Sequence, residues 1–150
     1  MMAGELNDLY QDIILDHSKN PRNSGYLEGA THSARENNPL CGDRVSVYLT
    51  VQNAEITDLT FEARGCAISV ASASMMGQMM KGKSVAEAQN LFKQFIALIN
   101  GSDVAEGVEL KDLQSLSGVK QFPTRVKCAT LSWHALQHAL ESGGIESKTS

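Results

Sequence analysis

The chemistry available to this chain is concentrated at three cysteines. Cys41 stands in the stretch Asn38-Pro39-Leu40-Cys41-Gly42-Asp43, which sets a thiol and a carboxylate two residues apart on either side of a glycine. In a strand such neighbours share a face, and in a tight loop the glycine lets both side chains point at one atom. Pro39 biases Asn38 toward an extended conformation, so the stretch reads as loop rather than helix. A soft thiolate beside a hard carboxylate suits a borderline metal such as zinc. Cys66 follows Arg64-Gly65 where a helix should open, and Cys128 falls in the first turns of the last helix. A helix start offers free N–H groups and the positive end of a dipole, both of which favour thiolate over thiol. With Asp43, the three cysteines make a four-ligand tetrahedral set. Three separate buried thiols remain the competing reading, because the spacing is too wide for a zinc-finger signature.

Histidines are the rival ligands. His134 and His138 are four residues apart on the last helix, a spacing that can bind zinc. Ala129, Trp133, Leu136 and Leu140 define the apolar face of that helix, however, and at 100° per residue both histidines fall on the opposite, solvated side. His17 and His32 are isolated and receive no assignment. Arg125 precedes Cys128 by three residues and so shares its helix face, where a cation would help to hold a thiolate or persulfide anion. Lys127 reads equally well as an ordinary surface charge.

The rest of the chain bounds what these residues can belong to. At 150 residues it is expected to form one domain with a core of its own. A net charge of −4 offers no electrostatic footprint for nucleic acid, and no apolar run reaches the length of a spanning helix. Glu5, Asp8, Asp12 and Asp16 near the N-terminus are the opposite of a signal or transit peptide, so a cytoplasmic protein is expected. An odd number of cysteines without a secretory signal argues for metal or thiol chemistry over a disulfide framework.

Periodicity then places the elements. Leu6, Leu9, Tyr10, Ile13 and Ile14 mark an amphipathic helix that Asn20-Pro21 should stop. Residues 44–51 and 56–63 alternate as half-buried strands, the second with Leu59, Phe61 and Ala63 on one face, and Asn53-Ala54-Glu55 is the expected reversal. A third strand is predicted over 31–36, which leaves Cys41 and Asp43 in the loop entering the second. A helix over 67–81 is apolar or small nearly all round, as a helix buried on several sides must be. Ser84 and Glu87 fit a capping box, and Asn100-Gly101 should close the helix that follows. Residues 102–108 read as loop. Leu110, Leu113 and Leu116 suggest a short helix ended by Gly118, and Phe122-Pro123 opens the last helix, which runs to about Glu141. The tail over 145–150 has no reason to be ordered. The pattern is α+β: an N-terminal helix, a three-stranded antiparallel sheet, then a C-terminal group of helices.

Five stretches together carry a resemblance. Leu9-Tyr10 to Asp16-His17, Asn20-Pro21-Arg22-Asn23, Asn38-Pro39 with Cys41-Gly42-Asp43, Gly65-Cys66 with Ser69 to Met76, and Arg125-Val126-Lys127-Cys128-Ala129-Thr130-Leu131 are similar to the U-type iron–sulfur cluster assembly proteins, and best to their SufU-like branch. The similarity spans roughly residues 6–141. It implies a compact α+β fold in which Cys41, Asp43, Cys66 and Cys128 converge at one end as ligands of a metal. Lys127 stands where cluster scaffolds of the family carry a histidine, Gln121-Phe122-Pro123-Thr124-Arg125 replaces their chaperone-read segment, and 100–120 looks like an insertion of the SufU-like branch. These departures favour a zinc-bound sulfur acceptor over a scaffold for iron or a [2Fe–2S] cluster, which is the alternative.

The resemblance further implies that a cysteine desulfurase of the SufS-like kind hands persulfide sulfur to this protein, and that cluster scaffolds lie downstream. Cys41 is the expected acceptor, since its loop and Gly42 allow movement that helix-rooted Cys66 and Cys128 lack. Arg125 is the expected stabiliser of the anion.

Overall fold

The computed structural model describes residues 2–38, 42–101 and 111–142. Cys41, the acceptor expected from the sequence, the loop predicted over 102–108 and the tail over 145–150 lie outside the described residues.

Helix α1 (Met2–Lys19) lays Ile13 and Ile14 half-buried against the core; the side chains of Leu6, Leu9 and Tyr10 lie outside the described set. Its end is where Pro21 requires, with the Asn20 N–H still bonded to Asp16 O at 2.8 Å. The chain then reverses through Asn23 in the left-handed region (φ 64°) and runs beside the sheet: Phe61 N–H donates to Asn23 O at 3.0 Å and Gly25 N–H to Phe61 O at 2.7 Å.

Strands β1 (His32–Asn38), β2 (Asp43–Gln52) and β3 (Glu55–Arg64) form one antiparallel sheet in sequence order. Its core face carries Ala34, Val45, Val47, Leu49, Leu59 and Phe61, all buried. Three details differ from the sequence-based expectation. The β2–β3 reversal needs only Asn53 and Ala54, both at positive φ (53° and 63°), because Glu55 already pairs with Gln52. Two left-handed residues are the geometry whose twist matches a tight hairpin. A register shift between Thr50 and Val51 puts Ile56 on the same face as Leu59, although their odd spacing would set them on opposite faces. Finally, β1 extends to Asn38, which pairs with Asp43. Asp43 is therefore the first residue of β2, not part of the loop before it.

Helix α2 (Ala67–Met80) is buried on nearly every side, from Ala71 through Gly77 without interruption. It packs on β3 and between α1 and α4 (Pro123–Ser142), while α4 lies across β1 and β2. Helix α3 (Val85–Ile99) opens on the expected capping box: Glu87 N–H donates to Ser84 Oγ at 3.1 Å, and Ser84 N–H to Glu87 Oε1 at 2.9 Å. The segment before α4 is a 3-10 helix over Lys111–Gln121 that runs past Gly118. Leu113, Leu116 and Val119 are all buried and recur every three residues, the period at which a 3-10 helix stacks its side chains. Gly118 has no left-handed φ and so provides no stop. Trp133 of α4, fully buried, stacks on Phe95 of α3 with ring centroids 4.2 Å apart. No helix among the described residues is long and apolar enough to cross a membrane.

Candidate metal and thiol site

Asp43, Cys66 and Cys128 meet at one end of the sheet, with one ligand atom from each lying within 4.8 Å of the others. Three separate elements bring them there. Asp43 continues the inward phase of Val45, Val47 and Leu49 along β2, so its carboxylate is buried beside the core and not turned to solvent. Cys66 is the N-cap of α2, with extended backbone (φ −73°, ψ 163°) and a side chain that caps nothing. Cys128 sits in the second turn of α4, buried against the sheet.

The link from β3 to α2 is made by Gly65. Its φ of 136° is open only to glycine, and a Cβ there would overlap the Asp43 carboxylate and stand 2.9 Å from Asp43 Cα. That close approach lets the Cys66 N–H donate to Asp43 Oδ1 at 2.9 Å, while Cys66 Sγ lies 3.7 Å from Asp43 Oδ2. An unoccupied helix N–H thus finds its acceptor in a side chain of β2.

The separation of Cys66 from Cys128 depends on α2 and α4, which a buried serine ties together. Ser72 Oγ donates to Ala129 O at 2.5 Å, and Trp133 Nε1–H donates to Ser72 Oγ at 3.0 Å. On the remaining side Asn38, buried at the end of β1, brings its Nδ2 to 4.0 Å from Cys128 Sγ. Sequence reasoning assigned no part in the site to Asn38, Gly65 or Ser72. The glycine directly before a thiol was the one signal available, for Gly65; no local signal marked Asn38, whose pairing with Asp43 is a matter of strand register, or Ser72.

The other predicted residues are placed as follows. Arg125 is exposed on α4 one turn before Cys128, and its guanidinium makes no ion pair among the described residues. His134 and His138 are both exposed, as the phase of α4 requires. His138 Nδ1 contacts Glu36 Oε2 of β1 at 2.5 Å, and His134 lies edge-on to Phe92 with centroids 5.7 Å apart. Neither joins the cysteines. His17, unassigned from sequence, is buried, with Nδ1 2.7 Å from Ser74 Oγ in the packing of α1 on α2.

Two thiols and a carboxylate are a donor set that suits zinc. Zinc–ligand bonds of about 2.0–2.3 Å in tetrahedral array place ligand atoms roughly 3.3–3.8 Å apart. The 3.7 Å between Cys66 Sγ and Asp43 Oδ2 already has that spacing, and a fourth donor would complete the set.

The model of the NifU-like N-terminal domain matches residues 9–143. This chain belongs to that family. Among its relatives is the protein named zinc-dependent sulfurtransferase SufU from Bacillus subtilis, 44% identical over 141 residues that cover 93% of this chain and 95% of the relative. The iron–sulfur cluster assembly scaffold protein IscU of Streptococcus pyogenes is 40% identical, covering 94% and 88%. The crystal structure of a candidate SUF-system scaffold from Fervidobacterium islandicum superposes with a TM-score of 0.81 at 36% identity, covering 86% and 94%. The family fold is the one described above: an N-terminal helix, three antiparallel strands and C-terminal helices.

Proposed function

We propose that this protein is a zinc-dependent sulfur acceptor for a cysteine desulfurase, working in iron–sulfur cluster assembly in the cytoplasm, with Cys41, Asp43, Cys66 and Cys128 as the zinc ligands. The reading is carried by the convergence of Asp43, Cys66 and Cys128 within 4.8 Å, in a chain similar to a relative named as a zinc-dependent sulfurtransferase. When bound, zinc holds its cysteine ligands as thiolates at neutral pH.

The chain's own residues then divide the work. Asp43 is anchored by the Cys66 N–H, so the carboxylate and the Cys66 thiol keep one relative position. Cys128 is fixed on a helix that Ser72 ties to the one bearing Cys66. Cys41 is the acceptor, two residues from Asp43 and next to Gly42, whose φ of 70° only glycine adopts freely. Its thiolate attacks the outer sulfur of the desulfurase persulfide; a new sulfur–sulfur bond forms, the old one breaks, and the desulfurase thiolate leaves with the electron pair. The product is a persulfide on Cys41, and a cluster scaffold is the downstream recipient. Arg125, exposed one turn before Cys128, supplies positive charge for the anion.

The scaffold reading, in which iron and sulfide are cargo assembled as a [2Fe–2S] cluster, is favoured by the names of several relatives. Lys127 stands against it, since an ammonium cannot ligate iron.

One experiment separates the two. The purified protein is incubated with desulfurase and cysteine, and added sulfur is mapped by mass spectrometry. We expect a colourless protein with one zinc per chain and one added sulfur on the peptide containing Cys41. Cys41→Ala keeps much of its zinc but neither carries sulfur nor stimulates the desulfurase. A stoichiometric brown cluster on the isolated protein, or added sulfur on Cys66 or Cys128 with Cys41→Ala still active, overturns the reading.

A further inference from the structure

One face of the sheet packs on the helices; the other carries arginines at the end nearest the site. Arg44 of β2 and Arg64 of β3 are direct cross-strand partners, both exposed, and neither has an ion-pair partner among the described residues. Directly opposite side chains in an antiparallel pair have Cβ atoms about 4.5–5.5 Å apart, where like charges destabilise the sheet. A third guanidinium joins them: Arg35 of β1 donates from Nε to Ser46 Oγ at 3.1 Å, and Ser46 is two residues on from Arg44 on the same face.

Among the described residues only one carboxylate interrupts this group. Glu62, opposite Ser46, accepts the Tyr48 hydroxyl at 2.6 Å. Asp58 lies toward the far end of the face and pairs with Lys81 at 3.3 Å, and Glu36 faces α4 instead. The patch is therefore positive within a chain of net charge −4.

Protection of a sheet edge does not explain it, because Arg44 is on the middle strand. Its position does suggest a use. Arg44 directly follows Asp43, and only Gly65 separates Arg64 from Cys66. Beyond the arginines Tyr48 meets Tyr26 edge-on at 5.0 Å, with Tyr26 67% exposed. Arginine and tyrosine are the residue types enriched where binding energy concentrates in protein interfaces.

We propose that this arginine face docks an acidic surface of the persulfide-donating partner, steering that partner onto the thiol site from the β2–β3 side. The inference rests on the sulfur-transfer reading above. An acidic partner relieves the Arg44–Arg64 repulsion that the free protein bears. It also makes the encounter faster at low salt than at high salt.

The test is the affinity of the protein for the cysteine desulfurase of the same organism, measured by calorimetry at low and high salt. It compares wild type with the Arg44→Gln/Arg64→Gln and Arg44→Glu/Arg64→Glu variants. We expect the glutamine pair to weaken binding at least about tenfold at low salt and the glutamate pair to weaken it further, with a flatter salt dependence in both. Zinc per chain and the transfer rate at saturating partner stay at wild-type values, and the glutamine pair folds at least as stably as wild type. Equal affinity in wild type and the glutamine pair overturns the docking proposal while leaving sulfur transfer standing. Wild type that binds in an arginine-dependent way but takes no sulfur upholds the docking face and overturns the transfer reading. Wild type that does not bind the desulfurase at low salt overturns both. Loss of binding to DNA, with desulfurase affinity unchanged, assigns the face to nucleic acid and overturns the proposal.

Discussion

Cys66 meets Asp43 twice: its backbone N–H donates to Asp43 Oδ1 at 2.9 Å, and its Sγ lies 3.7 Å from Oδ2 of the same carboxylate. Asp43 thus serves the fold and the site with different oxygens, and the two roles can be separated. Asp43→Asn keeps a carbonyl oxygen for the Cys66 N–H but removes the charge; it should lose zinc while melting close to the metal-free wild type. Asp43→Ala should lose zinc and a further roughly 1–3 kcal/mol, because it strands a half-buried backbone donor. Metal analysis and chemical denaturation of both variants in metal-free buffer check this. Equal stability of the two would show that the backbone bond contributes nothing.

Gly65→Ala is expected to be among the most damaging single substitutions in the chain. The methyl both meets the Asp43 carboxylate and demands a φ of 136° from a residue with a Cβ. Backbone strain of this kind alone costs about 1–3 kcal/mol. Relief by movement of Asp43 would lower zinc content in parallel with stability. A variant with unchanged melting and full zinc would contradict the geometry described.

Ser72 governs the spacing of two candidate ligands without touching either. Ser72→Ala leaves the buried Trp133 indole N–H without its acceptor, so a loss of about 1–3 kcal/mol is expected. Ser72→Thr, which keeps the hydroxyl, should restore the bond but crowds a helix packed on both sides. Trp133 fluorescence followed through urea unfolding reads the environment of the ring and the stability together.

Replacing His134 and His138 by alanine should leave zinc content and sulfur acceptance unchanged. Both are exposed, and the His138–Glu36 pair is a surface contact, which contributes about 0–1 kcal/mol. Zinc lost from the double variant would require a different ligand set.

The Asp16–Arg22 pair should leave an acid-dependent mark. The hydrogen bond from Arg22 Nη2 at 2.7 Å holds the Asp16 carboxyl below its ordinary value of 3.8. Because the folded pKa is depressed, the stabilisation is fully present above that ordinary value and is lost as pH falls through the lower folded-state value. Carbon-detected NMR titration should show the Asp16 midpoint returning to the ordinary value in Arg22→Ala. A midpoint that does not move would assign the shift to another group.

The local code determined much of this protein. Alternation placed β2 and β3 to within a residue at each end, the Ser84–Glu87 capping box opened α3 as expected, and the 100° phase of α4 put both histidines outside, because each of these depends on neighbours in the chain. The pairing of Asn38 with Asp43, the turn reduced to Asn53-Ala54 and the 3-10 winding of Lys111–Gln121 were decided by register and packing, which one segment cannot report about another. The same holds for the site. Residue types alone named Asp43, Cys66 and Cys128 as candidates and left a shared site level with three separate thiols; it was the family resemblance, not their spacing, that implied convergence at one end. Tertiary structure is what brought β2, the start of α2 and the second turn of α4 to one end of the sheet. It did so through contacts with no local signature: a glycine that must lack a side chain because a carboxylate fills the space, and a serine that holds two helices at one spacing.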